Sequence, residues 1–127
     1  MTENYSTGVQ HIGIPTKCFN DTIDFYKKLG FGPVYETVND GARVSFMKLG
    51  NLVFEIYEDK NPSGVAGGID HVALNVQDID QTYKDVCALG LNTQNDEIHF
   101  LPYWDNGVRF FTIMGPNMEK IEFSQFL

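Results

Sequence analysis

The fold is decided by two stretches of sequence, Val9-Gln10-His11-Ile12-Gly13-Ile14 and Ile69-Asp70-His71-Val72-Ala73-Leu74. A shift of sixty residues aligns apolar with apolar positions and His11 with His71. The same register continues through the apolar positions that follow and reaches Gly30 and Gly90 without a gap. A repeat of this length indicates that the chain contains two copies of one structural unit.

Each copy is predicted to form a strand, a helix and three further strands. It opens with β-branched and apolar residues typical of a strand, and its apolar residues then recur at the i, i+4, i+7 spacing of an amphipathic helix. Gly30 and Gly90 follow the helices, where a residue that tolerates positive φ is favoured. Asp78 is a good N-cap for the second helix, and Cys18 is a poor one for the first. Three strand-like runs then follow in each copy: residues 33–38, 42–49 and 52–57, and residues 92–101, 108–114 and 120–126.

These elements predict an α+β fold made of two tandem βαβββ modules. Neither module alone can bury its sheet, so we expect the two to form one curved eight-stranded mixed sheet with the helices outside. The predicted boundaries are about 8–58 for module one, about 59–67 for the linker and about 68–127 for module two. All 127 residues then belong to a single domain.

The composition excludes several classes of function. Nine Lys and Arg residues stand against 17 Asp and Glu, a formal net charge of −8, which disfavours binding to nucleic acid. No apolar run reaches the ~18 residues that a membrane span needs, and the polar first residues carry no export signal. Two cysteines do not make a disulfide framework. We therefore expect a cytoplasmic protein that binds neither nucleic acid nor a membrane.

Four polar residues lie where the strand pattern calls for apolar ones. His11 and His71 lie in the first strand of each copy, and Glu55 and Glu122 lie in the last. A lone strand histidine is usually a packed core or edge residue, and a lone glutamate usually faces water. Here both residue types recur in equivalent strands, and the repeat directs all four toward one pseudo-twofold axis. Two imidazoles and two carboxylates around one point predict a divalent-metal site.

Copy two contains about seven residues more than copy one, because the two glutamates do not share the offset of the two histidines. The connection 92–104 is the longest and accommodates the extra residues. His99 lies in this segment without a repeat mate, so packing and substrate contact are both open interpretations. Trp104 belongs to an aromatic cluster in the same segment, which either covers the core or a dimer contact, or forms the wall of a substrate pocket.

On these residues the chain resembles the vicinal oxygen chelate superfamily, which includes glyoxalase I, bleomycin-resistance proteins, fosfomycin-resistance enzymes and extradiol dioxygenases. The resemblance is carried by Thr22-Ile23-Asp24-Phe25-Tyr26-Lys27-Lys28-Leu29-Gly30-Phe31 and by Gly115-Pro116-Asn117-Met118-Glu119-Lys120-Ile121-Glu122-Phe123. The glyoxalase I branch implies one divalent ion (nickel, cobalt or zinc), a homodimer, and four metal ligands: His11, Glu55, His71 and Glu122. It also implies a lyase or isomerase in which Glu122 moves a proton next to a carbonyl through a metal-chelated enediolate. Whether one chain or two chains supply the ligands stays open.

The resemblance is weaker at the positions that hold the substrate in glutathione-using members of the family. Glutathione-using members carry an arginine and an asparagine where this chain has Pro15 and Asp59. A proline offers no donor, and an aspartate repels the carboxylates of the peptide. We therefore expect a smaller α-hydroxycarbonyl or sugar-like substrate. The alternatives are a non-catalytic small-molecule-binding protein of the bleomycin-resistance type and a metal-dependent thiol transferase of the fosfomycin-resistance type. The candidate substrate-binding residues are Arg43, Arg109, Trp104 and His99.

Overall fold

A computed structural model describes residues 6–116 and 118–127. The first five residues and Asn117, which belong to the predicted domain 1–127, lie outside the described residues. The described elements are, in chain order, β1 (Ser6–Thr16), α1 (Phe19–Lys28), β2 (Gly32–Asn39), β3 (Ala42–Leu49), β4 (Leu52–Glu58), β5 (His71–Val76), α2 (Ile79–Ala88), β6 (His99–Leu101), β7 (Val108–Met114) and β8 (Lys120–Phe126). These eight strands form a mixed sheet in the order β2-β3-β4-β1-β5-β8-β7-β6, with two βαβββ modules, as the sequence predicts.

The chain divides into two compact units, of which the first comprises His11–Asp70. In this unit β1 pairs with β4 in parallel, and β4, β3 and β2 pair antiparallel. Helix α1 packs on one face of the strands through a core that includes Phe19, Met47 and Ile56. Because successive strand residues point to opposite faces, Glu55 lies on the face away from α1.

The second unit comprises residues 6–10 and His71–Leu127. Here β5 pairs with β8 in parallel, and β8, β7 and β6 pair antiparallel. Helix α2 packs on one face through Ile79 and Val86, which contact Phe111 and Phe123 of the strands. The same alternation therefore places Glu122 on the face away from α2.

The first half of β1 belongs to the second unit because its side chains bond there. Gln10 Nε2 donates to Asn75 Oδ1 at 3.0 Å and to the Ser124 carbonyl at 3.1 Å. Asn75 Nδ2 in turn donates to Thr7 Oγ1 at 2.8 Å. This strand is thus divided between the two units at Gln10. That the whole chain is one domain with a linker at about 59–67 stays a prediction.

The helix ends follow the predictions. Asp78 caps α2, and its Oδ1 accepts a hydrogen bond of 3.0 Å from the Gln81 backbone N–H. Cys18 precedes α1 without a side-chain cap hydrogen bond. Gly30 and Gly90 follow the helices with φ of 101° and 73°, values that other residues rarely adopt. Within the described residues, neither helix has the length and apolar character required to span a membrane.

The prediction of one strand, over residues 92–101, is largely wrong. The run 92–101 is extended and paired only at His99–Leu101, and the preceding residues form turns. Asn92 Oδ1 accepts from the Asp96 backbone N–H at 3.0 Å, and Asn92 Nδ2 donates to the Asp96 carbonyl at 3.0 Å. The amide side chain thus satisfies backbone groups that a strand would pair with its neighbour, which is how Asn competes with regular structure.

The two helix starts give a matched stability test. We expect Asp78→Ala to lower the free energy of unfolding by about 1 kcal/mol, because the Gln81 N–H loses its acceptor. Cys18→Ala removes no cap hydrogen bond and should leave the stability nearly unchanged. Urea denaturation of both variants measures the difference. Equal losses in the two variants would contradict the assignment of the cap.

Candidate functional site

In the first unit, His11 and Glu55 form a sheltered pair. His11 Nε2 lies 3.4 Å from Glu55 Oε1, and the two side chains are 7% and 14% exposed. Phe46 of β3 packs its ring edge-on against the imidazole at 5.4 Å between centroids. The strand pattern explains this position: Phe54 and Ile56 turn toward α1 and leave Glu55 on the opposite face.

The second unit contains the equivalent pair. His71 Nε2 lies 3.4 Å from Glu122 Oε2, and these side chains are 10% and 12% exposed. Ile121 and Phe123, on either side of Glu122, turn toward the α2 core. The repeat therefore extends from sequence to side-chain geometry, because each module holds an imidazole against a carboxylate at the same distance.

The donor chemistry of the pairs fits a divalent metal. Imidazole Nε2 and carboxylate oxygen are the donors that zinc and similar first-row ions take. A carboxylate with so little exposure to water needs a cation or a set of hydrogen-bond donors nearby. Each histidine brings one nitrogen to one such carboxylate. The arrangement can hold a metal ion, and a carboxylate in it can accept or return a proton.

Tyr57 follows Glu55 on the same face of β4 and was not singled out by the sequence. Burial, together with the negative charge of Asp70 and a hydrogen bond to its carboxylate, raises the pKa of Tyr57 far above its usual range. Burial at this position thus favours the neutral phenol over the phenolate. Tyr57 also lines a cavity of about 900 Å³ in this unit, together with Lys17, Asp59 and Lys60. The alternation of β4 residues from Glu55 is the signal that could have identified it.

The two arginines lie on the helix side of their units. Arg43 donates to Asn20 at 2.9 Å and to Glu58 at 3.1 Å, and its guanidinium lies over the Phe19 ring. Arg109 donates two hydrogen bonds of 2.9 Å to Asp80 of α2. The hydrogen bonds from Arg109 hold the pKa of the Asp80 carboxyl below its usual range. The structure does not bring Arg43 to the His11–Glu55 pair or Arg109 to the His71–Glu122 pair, and their role in substrate binding stays a prediction.

His99 and Trp104 lie on the Glu122 side of the second unit. His99 is half-exposed; its Nε2 lies 2.7 Å from Asp96 Oδ1, and its ring is 5.3 Å from that of Phe110. The Trp104 ring packs edge-on against Phe126, which shares the face of Glu122. Both residues are placed where a substrate bound at Glu122 could extend, and contact with substrate stays a prediction.

Asp96 is a residue that sequence reasoning missed. Its Oδ2 accepts a hydrogen bond of 2.8 Å from the Thr112 N–H at the edge of β7, while Oδ1 holds His99. Burial raises the pKa of Asp96, but the hydrogen bonds from His99 and Thr112 outweigh it and leave a net lowering. An acidic residue three positions before a histidine without a repeat mate is the sequence signal that could have indicated this pair.

The lowered pKa of Asp96 sets the pH dependence of its contribution to stability. A group whose pKa falls on folding stabilises the protein above its unfolded pKa and loses that effect as the pH falls through the folded value. We expect Asp96→Asn to reduce the urea midpoint at pH 7 and to reduce it much less at pH 3. Glu97→Gln, at the exposed neighbouring position, is the control. An equal loss at both pH values would show that the charge of Asp96 is not the cause.

Comparison with known proteins identifies a family whose model matches this chain. The model of the glyoxalase/bleomycin resistance protein/dioxygenase superfamily matches residues 8–123. A mitochondrial methylmalonyl-CoA epimerase from Dictyostelium discoideum is 30% identical over 92 residues, 63% of this chain and 55% of that protein. The chain thus spans about half of the length of that relative.

Solved structures share the fold at low identity. The methylmalonyl-CoA epimerase from Mycobacterium tuberculosis has a TM-score of 0.73 and 20% identity, covering 100% of this chain and 93% of the other. An Mn(II)-bound glyoxalase from Novosphingobium aromaticivorans has a TM-score of 0.63 and 22% identity, covering 95% of this chain and 39% of that one. The predicted fold class and the predicted resemblance are both confirmed.

Proposed function

The chain belongs to the glyoxalase/bleomycin resistance protein/dioxygenase superfamily, and on this premise we propose that it is a metal-dependent enzyme that transfers a proton next to a carbonyl group. The observation that carries the proposal is the duplicated imidazole–carboxylate pair, with a distance of 3.4 Å in each module. The reaction is of the isomerase or lyase type, and a small α-hydroxycarbonyl compound is the proposed substrate.

We propose that His11, Glu55, His71 and Glu122 together hold one divalent ion: nickel, cobalt or zinc. His11 and Glu55 form one imidazole–carboxylate pair in the first unit, and His71 and Glu122 form the other in the second unit. A hydrogen bond from the residue next to His11 supports the sharing of one ion. Gln10, which precedes His11, donates to Asn75, and Asn75 lies on the strand that begins with His71. When bound, such an ion would polarise the oxygen atoms of the substrate and stabilise negative charge on them.

The two carboxylates are proposed to have different roles. Glu122 is the proposed base: it takes the proton from the carbon next to the carbonyl and returns it to the adjacent carbon. Glu55 is the proposed standing ligand, the role that the resemblance to glyoxalase I assigns to its position. Both carboxylates are little exposed, and a base that transfers a proton to carbon must keep it from bulk water.

The charge of the first unit supports a substrate other than a glutathione adduct. Three carboxylates (Asp40, Glu58 and Asp59) and two lysines (Lys17 and Lys60) line the cavity beside Tyr57, and this net negative charge opposes an anionic peptide. Both arginines already pair with carboxylates, Arg43 with Glu58 and Arg109 with Asp80. A substrate with two acidic groups would have to compete for these guanidinium groups, whereas a small hydroxycarbonyl compound would not.

Epimerisation is the second candidate reaction, and the methylmalonyl-CoA epimerase relative favours it. The chemistry begins with the same proton removal next to a carbonyl. It differs at the next step, because the proton returns to the carbon that lost it, on the opposite face. That step requires a second acid on the other side of the substrate, and Glu55 is the group on the first unit that would supply it.

The proposed metal site is tested by elemental analysis of the purified protein. We expect about one nickel, cobalt or zinc ion per chain after loading, and less than a tenth of that in His11→Ala and in His71→Ala, because each loses an imidazole donor. Glu36→Gln, at an exposed position of β2, is the matched control and should bind metal like the wild type. Metal binding that survives both histidine substitutions would refute the site.

The assigned base gives a kinetic test. We expect Glu122→Gln to reduce kcat on any active hydroxycarbonyl substrate by 10² to 10⁴, roughly the range of general-base catalysis. Because Glu122 is also a proposed ligand, metal content is measured on the same sample. Unchanged kcat in the metal-loaded variant would exclude Glu122 as the base.

The substrate proposal is tested with the hemithioacetal of methylglyoxal and glutathione. We expect negligible turnover with nickel, cobalt or zinc, because the chain offers Pro15 and Asp59 where a thiol peptide needs donors. A screen of α-hydroxycarbonyl compounds under the same conditions is the comparison. Robust turnover of the hemithioacetal would contradict the substrate assignment and leave the metal chemistry in place.

A further inference from the structure

A row of side chains extends from Glu122 to the edge strand of the second unit. His99 of β6 is the cross-strand partner of Phe110, and Thr112 is the cross-strand partner of Glu122. Phe111, between Phe110 and Thr112, turns toward the α2 core. All four other residues therefore lie on the same face of the sheet, and the ring contact of 5.3 Å between His99 and Phe110 supports this placement.

His99 is oriented by its own carboxylate and presents a second nitrogen. Its Nε2 bonds to Asp96 Oδ1 at 2.7 Å, and Asp96 Oδ2 is anchored by the Thr112 N–H at 2.8 Å. Among residues 6–116 and 118–127, Nδ1 of His99 has no hydrogen-bond partner. The side chain is 49% exposed, so a ligand can reach this nitrogen. When both ring nitrogens carry a proton, the imidazolium donates from Nε2 to the Asp96 carboxylate and can donate from Nδ1 to an anionic oxygen of a ligand.

We propose that His99, held by Asp96, binds a terminal carboxylate of the substrate whose hydroxycarbonyl end lies at Glu122. This inference rests on the proposed function and adds the substrate class: a short hydroxycarbonyl acid. Phe110 and Thr112 form the floor between the two ends, one apolar and one with a hydroxyl group.

The strand spacing sets the length of the substrate. Two strand intervals and a two-residue offset separate the Cα atoms of His99 and Glu122 by about 12 Å. A hydrogen bond of about 3 Å at each end leaves roughly 6 Å for the substrate. A chain of about four to six carbons between the reacting carbon and the carboxylate oxygen covers this distance.

The corresponding reaction balances without a further reactant. In 5-hydroxy-4-oxopentanoate, one hydrogen leaves C5 and one is gained by C4, while the hydroxyl proton of O5 passes to O4. The product is 4-hydroxy-5-oxopentanoate, and no oxidant or reductant is consumed. Glu122 carries the hydrogen between the two carbons as a proton, and the carboxylate at His99 takes no part in bond making.

The test compares 5-hydroxy-4-oxopentanoate with its carboxamide, which has the same length and no charge. In wild-type protein, the acid should shift the ring ¹⁵N and ¹H resonances of His99, assigned by their loss in His99→Gln, and the amide should not. His99→Gln should weaken binding of the acid about tenfold, the loss of one charge-assisted hydrogen bond. The ratio of kcat/KM for acid over amide should fall by the same factor through KM rather than kcat. Lys84→Gln, an exposed charge change on α2, is the control.

The outcomes separate this inference from the proposed function. Equal binding of acid and amide, or binding of the acid that His99→Gln leaves unchanged, would overturn the subsite whether or not either compound is turned over. Acid-specific shifts at His99 support the subsite even if no metal-loaded sample turns the acid over, and that result would count against the proposed reaction alone. Thermal unfolding of His99→Gln verifies that the variant is folded.

Discussion

A carboxylate removed from water must be compensated, and this constraint governs both modules of the protein. Glu55 and Glu122 each lie in an apolar strand with less than a sixth of the side chain exposed. Burying an ionised carboxylate without a partner costs far more free energy than one strand contributes. Each module meets the cost in part with one imidazole nitrogen at 3.4 Å. A divalent cation held by an imidazole and a carboxylate would compensate the charge of the carboxylate, and the proposed chemistry uses such a cation.

Much of this architecture could be predicted from the sequence because it depends on periodicity. The offset between His11 and His71 locates the repeat, and the alternation in β4 and β8 places Glu55 and Glu122 away from the helices. Turn and cap residues act locally, which is why Asp78 and the two glycines after the helices were correctly assigned. The prediction of a strand over residues 92–101 was wrong for a reason that is also local. The side chain of Asn92 forms hydrogen bonds with the backbone of Asp96, and these take the place of strand pairing.

Side-chain partners across elements could not be predicted in this way. Arg43 and Arg109 are adaptable donors whose partners depend on where α1 and α2 pack, and the structure pairs them with Glu58 and Asp80. The hydrogen bond that Asp96 accepts from Thr112 requires the register of β7, which no local pattern encodes. These contacts matter for function because they engage both arginines with carboxylates and because they orient His99 as a group that could recognise an anionic substrate.

The proposed chemistry requires that two histidines share one cation. Protein labelled with ¹⁵N-histidine and loaded with ¹¹³Cd tests this directly, since cadmium accepts the same donors and its resonance splits on coupling to bound imidazole nitrogen. We predict one cadmium resonance coupled to the Nε2 atoms of His11 and His71, each assigned by its loss in the corresponding alanine variant. Two separate cadmium resonances, or one without coupling to either histidine, would show that the two histidines do not share a cation.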